Sequence, residues 1–95
     1  MKIKWSKAAV HNLIAAIEYL EEKGDYKYAI KLESEILKAI LELPNSHLLY
    51  EIDRFKFNND NTFKAFVIDK YRISFRVKSS EIQILRIRHT SRKPK

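Results

Sequence analysis

From Tyr71 to Lys78 the chain alternates without a break. Tyr71, Ile73, Phe75 and Val77 are apolar, and Arg72, Ser74, Arg76 and Lys78 between them are polar. A period of two over that length describes a strand with one dry face and one wet face. Such a strand belongs in an antiparallel sheet whose dry side is packed and whose other side meets water. Some other part of the chain must therefore cover two aromatic and two aliphatic side chains, while the cations stay exposed.

The N-terminal half supplies that cover. Val10, Leu13, Ile14, Ile17 and Leu20 recur at helical spacing after Ser6, a good N-cap. Gly24, the only glycine, is placed to close this helix, since it adopts positive φ at little cost. A second helix follows Asp25, with Ala29, Leu32, Ile36, Ile40 and Leu43 as its apolar stripe and Pro44 expected just beyond its end. So short a connection folds the two helices into an antiparallel hairpin.

The remaining segments read as sheet. Lys2–Trp5 is a short strand, with Trp5 expected in the core or facing the helices. Residues 52–57 alternate, 58–61 ("NNDN") form a polar turn, and 62–68 form a strand joined by Asp69-Lys70 to the alternating one. Ser79-Ser80 then turns the chain into "EIQILRIRH", where the apolar phase shifts. Ile82 and Ile84 share one face, and Leu85 and Ile87 the other. Either both faces are covered, or a bulge lies near Leu85. The order is β-α-α-β-β-β: one α+β domain over residues 1–95, an antiparallel sheet packed against an N-terminal helical hairpin.

Composition narrows the chemistry. The 95 residues include no cysteine, which excludes disulfides and thiolate catalysis and suits a reducing cytoplasm. No apolar run is long enough to span a membrane, and the first residues do not read as a secretory signal. His11, His47 and His89 lack metal-ligand spacing, so neither a metal nor another cofactor is expected. Residues 1–50 carry seven lysines and seven acids, so all of the +7 net charge lies in residues 51–95. Arg72, Arg76, Arg86 and Arg88 fall on the last two strands, and Arg92 and Lys93 follow. Guanidinium groups in that density suit bidentate recognition of phosphate or carboxylate. For any single arginine, pairing with a neighbouring acid (Glu51, Asp53 or Asp69) is an equal alternative. Metal-free RNA cleavage needs a proton acceptor, a proton donor and cations around the phosphorus. His89, Tyr71 and Tyr50 are the residues of suitable chemistry. By themselves the residues describe a small basic α+β domain that binds an anion.

Four stretches taken together resemble the RelE/ParE family of toxins: "IKWSKAAVHNLIAAIEYL", "LPNSHLLYEIDRFKF", "FKAFVIDKYRISFRV" and "EIQILRIRHTSRKP". The resemblance spans nearly the whole chain and is strongest in the last two. It implies a type II toxin held by a cognate antitoxin with an acidic and apolar tail, in a hetero-oligomer. The His89-to-Pro94 ending looks ParE-like, which implies growth inhibition through DNA gyrase without enzymatic activity. The family also contains RelE-like endoribonucleases that cut mRNA on the ribosome. For that alternative the candidates are Tyr71, Arg72, Arg86 and His89. A non-toxic member that only binds its partner is a further alternative. The residues expected to meet target or antitoxin are Lys64, Arg72, Arg76, Arg86, Arg88, His89, Arg92 and Lys93. Lys64 stands where the family commonly has arginine, and Asn45-Ser46 where glycine often follows the proline.

Overall fold

The computed structural model describes residues 1–91. Strand β1 (Lys2–Trp5) leads into helices α1 (Lys7–Glu22) and α2 (Tyr26–Ser46), a short 3-10 turn, and strands β2 (Phe63–Ile68), β3 (Tyr71–Val77) and β4 (Glu81–His89). The four strands form one sheet in the order β1-β4-β3-β2. Both helices lie on the face that carries Ile73, Phe75, Ile82, Ile84 and Ile87, all buried. Trp5 packs against the edge of that core.

The helix boundaries follow local chemistry. The Ser6 hydroxyl accepts a hydrogen bond from the Ala9 N–H at 2.9 Å and donates to the Leu85 carbonyl, so one side chain caps α1 and fixes it to β4. Gly24 has φ +81° and opens the turn into α2. Farther along α1, the Asn12 side chain accepts the Ile87 N–H, an edge donor that β1 is too short to reach.

Several details differ from the sequence reading. The sheet is mixed, because β1 runs parallel to β4. Helix α1 continues in the direction of β1, and four chain reversals then precede β4. An even number leaves both strands pointing the same way. Pro44 lies inside the last turn of α2. There its missing N–H forfeits only one bond, and the exposed carbonyls of Glu42 and Leu43 are taken by the Ser46 hydroxyl and the His47 N–H. Residues 52–57 form no strand. Only Ile52 makes an isolated bridge, to Lys64, before the chain leaves the sheet edge.

Helix α1 is also rotated relative to the expected stripe. It buries Ala9, Ala16 and Leu20 and half-buries Leu13 and Ile17, whereas Val10 and Ile14 are exposed. Apolar residues occupy more than one face of this helix, so periodicity alone offers two stripes. The alanine side wins because small side chains let the helix approach β4 closely. Replacing Ile36, which is fully buried, with alanine is expected to cost about 2–5 kcal/mol, whereas Ile14→Ala should stay within about 0.5 kcal/mol. Urea denaturation of the two variants measures the difference.

Candidate functional site

The expected phase break in β4 is a bulge. Ser74 pairs with Arg86 and Phe75 pairs with Ile84, which leaves Leu85 as the extra residue. Before the bulge Ile82 and Ile84 face the helices, and after it Ile87 does. Arg86 and Arg88 are thereby turned to the opposite, outward face, in register with Ser74 and Arg72.

Arg72 and Arg88 are thus direct cross-strand neighbours, an unfavourable juxtaposition of like charge. The segment between α2 and β2 relieves it. Asp53 accepts a hydrogen bond from Arg72 at 2.6 Å, and the Phe55 ring lies 5.3 Å from the same guanidinium. Arg76 is held in the same manner. It donates to Asp60 at 3.2 Å and to the Thr62 hydroxyl, with its guanidinium 4.6 Å from the centre of the Phe63 ring. The Thr62 hydroxyl and amide, with the Arg76 charge behind them, hold the Asp60 carboxyl below its ordinary range. The Asn59 side chain secures the loop by donating to the carbonyls of Asp53 and Phe63. Asn58 and Asn61 adopt positive φ within it, a conformation that asparagine tolerates.

Arg86 and Arg88 differ from these. Both are exposed, and neither guanidinium has an ion-pair or hydrogen-bond partner among the described residues. The outward face therefore separates into two neutralised arginines on β3 and two available ones on β4. Phe55, which lies against Arg72, and Phe57 on the same loop are almost fully exposed.

The other expected site residues lie elsewhere. Lys64 is in register with the core residue Phe75, and its ammonium donates to the His47 carbonyl at 2.9 Å on the helix side of the sheet. It tethers the end of α2 and does not belong to the outward cluster. His89 pairs with buried Tyr71, ring edge against ring face at 5.2 Å, and its Nδ1 accepts the Ser91 N–H. Both rings border an open cleft between the helical turn and the sheet end, with Tyr19, Lys23, Tyr28 and Lys70. Tyr28 donates to Asp69 there. Among the described residues Asp69 pairs with no arginine, and Glu51 pairs only with Arg54. Arg92 and Lys93 lie outside the described residues. Among the described residues no cluster of histidines and carboxylates is arranged to hold a metal ion, and no helix is long and apolar enough to cross a membrane.

Sequence reasoning named Asp53 as a compensating acid but passed over Asp60, Asn59 and the exposed phenylalanines. The signal available was the "NNDN" run itself. Four short polar residues, three of them asparagine, mark a loop that bonds to its own backbone.

The family model described as "ParE toxin of type II toxin-antitoxin system, parDE" matches residues 3–94. No curated protein matches the chain. Among solved structures, a chain titled "Chromosomal ParDE TA system from P. aeruginosa" is similar in fold. Its TM-score is 0.78 at 22% identity, over 96% of this chain and 97% of that one.

Asp53→Ala should destabilise the domain by about 1–3 kcal/mol, the cost of leaving a charged partner unmatched. It should also speed amide exchange in residues 53–62, measured by hydrogen exchange. Acid should loosen the same loop. The Asp60 pKa is lower folded than unfolded, so its contribution is fully present at neutral pH. That contribution is lost as pH falls below the ordinary value of about 3.9 and through the folded one. Asp60→Asn should remove this part of the acid sensitivity.

Proposed function

Because the chain belongs to the ParE toxin family of type II toxin–antitoxin systems, matched over residues 3–94, we propose that it arrests growth by poisoning DNA gyrase in the cytoplasm and is silenced by a cognate antitoxin. The observation that carries this reading is the pair Arg86 and Arg88. They stand exposed on one strand, with no acid of this chain assigned to them among the described residues. Two like charges on the same face of one strand repel, and an anion between them relieves the repulsion. The partner is thus anionic: an acidic antitoxin segment when the toxin is held, and the target when it is free.

The alternative, ribosome-dependent mRNA cleavage, needs acid, base and cationic clamp around one phosphate. The four candidates for that role do not converge. Tyr71 and His89 are on the helix side of the sheet, while Arg72 and Arg86 are on the outward side and Arg72 is engaged by Asp53. This division favours gyrase over mRNA as the target.

Replacing Arg86 and Arg88 together with alanine should abolish growth inhibition and leave the melting temperature close to that of the parent. Deleting residues 90–95 should act similarly. It removes Arg92, Lys93 and Lys95 and gives up the bond from the Thr90 N–H to the Lys70 carbonyl, worth about 1 kcal/mol. A supercoiling assay with purified gyrase reads both effects. His89→Ala separates the mechanisms. A nuclease that uses it for proton transfer would lose about 100-fold or more in rate, whereas a gyrase poison should lose about 1 kcal/mol of binding. Unaffected supercoiling together with discrete cuts on programmed ribosomes would establish the alternative. Normal growth of cells that accumulate the folded chain without an antitoxin would establish a non-toxic binder.

Antitoxin affinity and association rate should both fall as salt rises, with each well-formed charge-assisted contact worth about 1.5–3 kcal/mol. Titration at several ionic strengths measures this. Flat behaviour would remove the basic face from antitoxin recognition.

A further inference from the structure

Helix α2 carries a second apolar stripe on the side away from the sheet. Ile30, Ser34, Leu37 and Leu41 succeed one another at intervals of four, three and four residues, the spacing of a helix–helix seam. Ile30 and Leu41 are 72% and 71% exposed, and Leu37 is 37% exposed. Shifted by one residue along the same helix runs a charged stripe of identical spacing: Lys31, Glu35, Lys38 and Glu42. Its signs read plus, minus, plus, minus.

We propose that this face of α2 packs against the same face of a second copy of the chain, antiparallel, about a two-fold axis near the level of Ile36. A two-fold axis perpendicular to both helices reverses their direction and keeps each flank on its own side. The charged stripe of one copy then meets its own reverse. Lys31 lies opposite the second copy's Glu42, Glu35 opposite its Lys38, and both pairs repeat across the axis. The apolar stripe comes together about the same axis, within roughly two residues (about 3 Å) of that register. Ile30 of each copy lies near Leu41 of the other, the two Leu37 side chains flank the axis and face Ser34, and Ser34 is small enough to let the helices approach to about 8–10 Å.

An alternating stripe suits this occupant better than a uniformly acidic segment, which would meet Lys31 and Lys38 but be repelled by Glu35 and Glu42. Within one copy, the Lys31–Glu35 pair at 4.0 Å is long and exposed, a weak competitor for the contact between copies. The stripe spans about 16 Å of helix, so the area buried falls at the small end of specific interfaces, below about 1,200 Å². Association is therefore reversible and concentration-dependent. The inference does not depend on the toxin reading and uses none of its residues.

Sedimentation of the full chain from micromolar to near-millimolar concentration tests it. The expected result is a monomer–dimer equilibrium. Leu41→Glu should abolish it without unfolding the domain. Lys38→Glu sets like charges together on both sides of the axis and should weaken the dimer by at least about tenfold. Adding Glu35→Lys to that variant reverses the pair and should restore the dimer. The chain has no cysteine, so Leu37→Cys offers a geometric test. Mild oxidation should link two copies through that position, and Val67→Cys, exposed on the outward sheet face, should not link them. A chain monomeric at every concentration overturns the proposal. So does a dimer indifferent to Lys38→Glu, or one that links through Val67→Cys and not through Leu37→Cys.

Discussion

The extra residue in β4 determines both what this domain buries and what it displays. If Leu85 paired regularly instead of bulging, strict alternation from Ile82 and Ile84 would carry Arg86 and Arg88 onto the helix-covered face and expel Ile87. Burying two unpaired guanidiniums under α1 would cost far more than a small domain's net stability. With the bulge, Ile87 joins Ile73 in the core, and both arginines reach the face that already carries Arg72 and Arg76. The anchoring of α1 depends on the same segment. Ser6 donates to the Leu85 carbonyl and Asn12 accepts from the Ile87 N–H, so the helix is fastened just where the strand changes phase.

The loop between α2 and β2 completes the outward face. Its acids engage the two arginines of β3, while Phe55 of the loop and Phe63 at the start of β2 cover their guanidinium planes. Charge that would otherwise repel across the β3–β4 pair is thereby divided. The β3 arginines hold the loop in place, and the β4 arginines remain available to another molecule. In a ParE-family toxin such a division gives the domain a stable sheet without surrendering the basic surface to internal salt bridges.

Much of this was legible from residue patterns. The two-residue period of β3, the helical periods of α1 and α2, the turn at Gly24 and the phase break at Leu85 are local signals, each contained within one element. The family resemblance rested on the same segments and agrees with the family match over residues 3–94. The basic half of the chain was also plain from counting. Less of the site was legible. His89 and Arg86 look like neighbours in sequence, yet the pleat of the regular strand between them sends them to opposite faces. Lys64 reads as one more surface cation, yet its register with Phe75 turns it toward the helices.

Sequence by itself determined the elements, their order, the phase break near Leu85 and the surplus of positive charge, because each is set by residues a few positions apart. Tertiary structure decided which stripe of α1 is buried, the parallel course of β1, the failure of residues 52–57 to become a strand, and which arginines are neutralised. Those outcomes depend on groups far apart in the chain, such as Asp53 with Arg72 and Ser6 with Leu85. A periodic pattern states that a face must be covered or a charge answered. Only the folded geometry brings the covering helix and the answering carboxylate within reach.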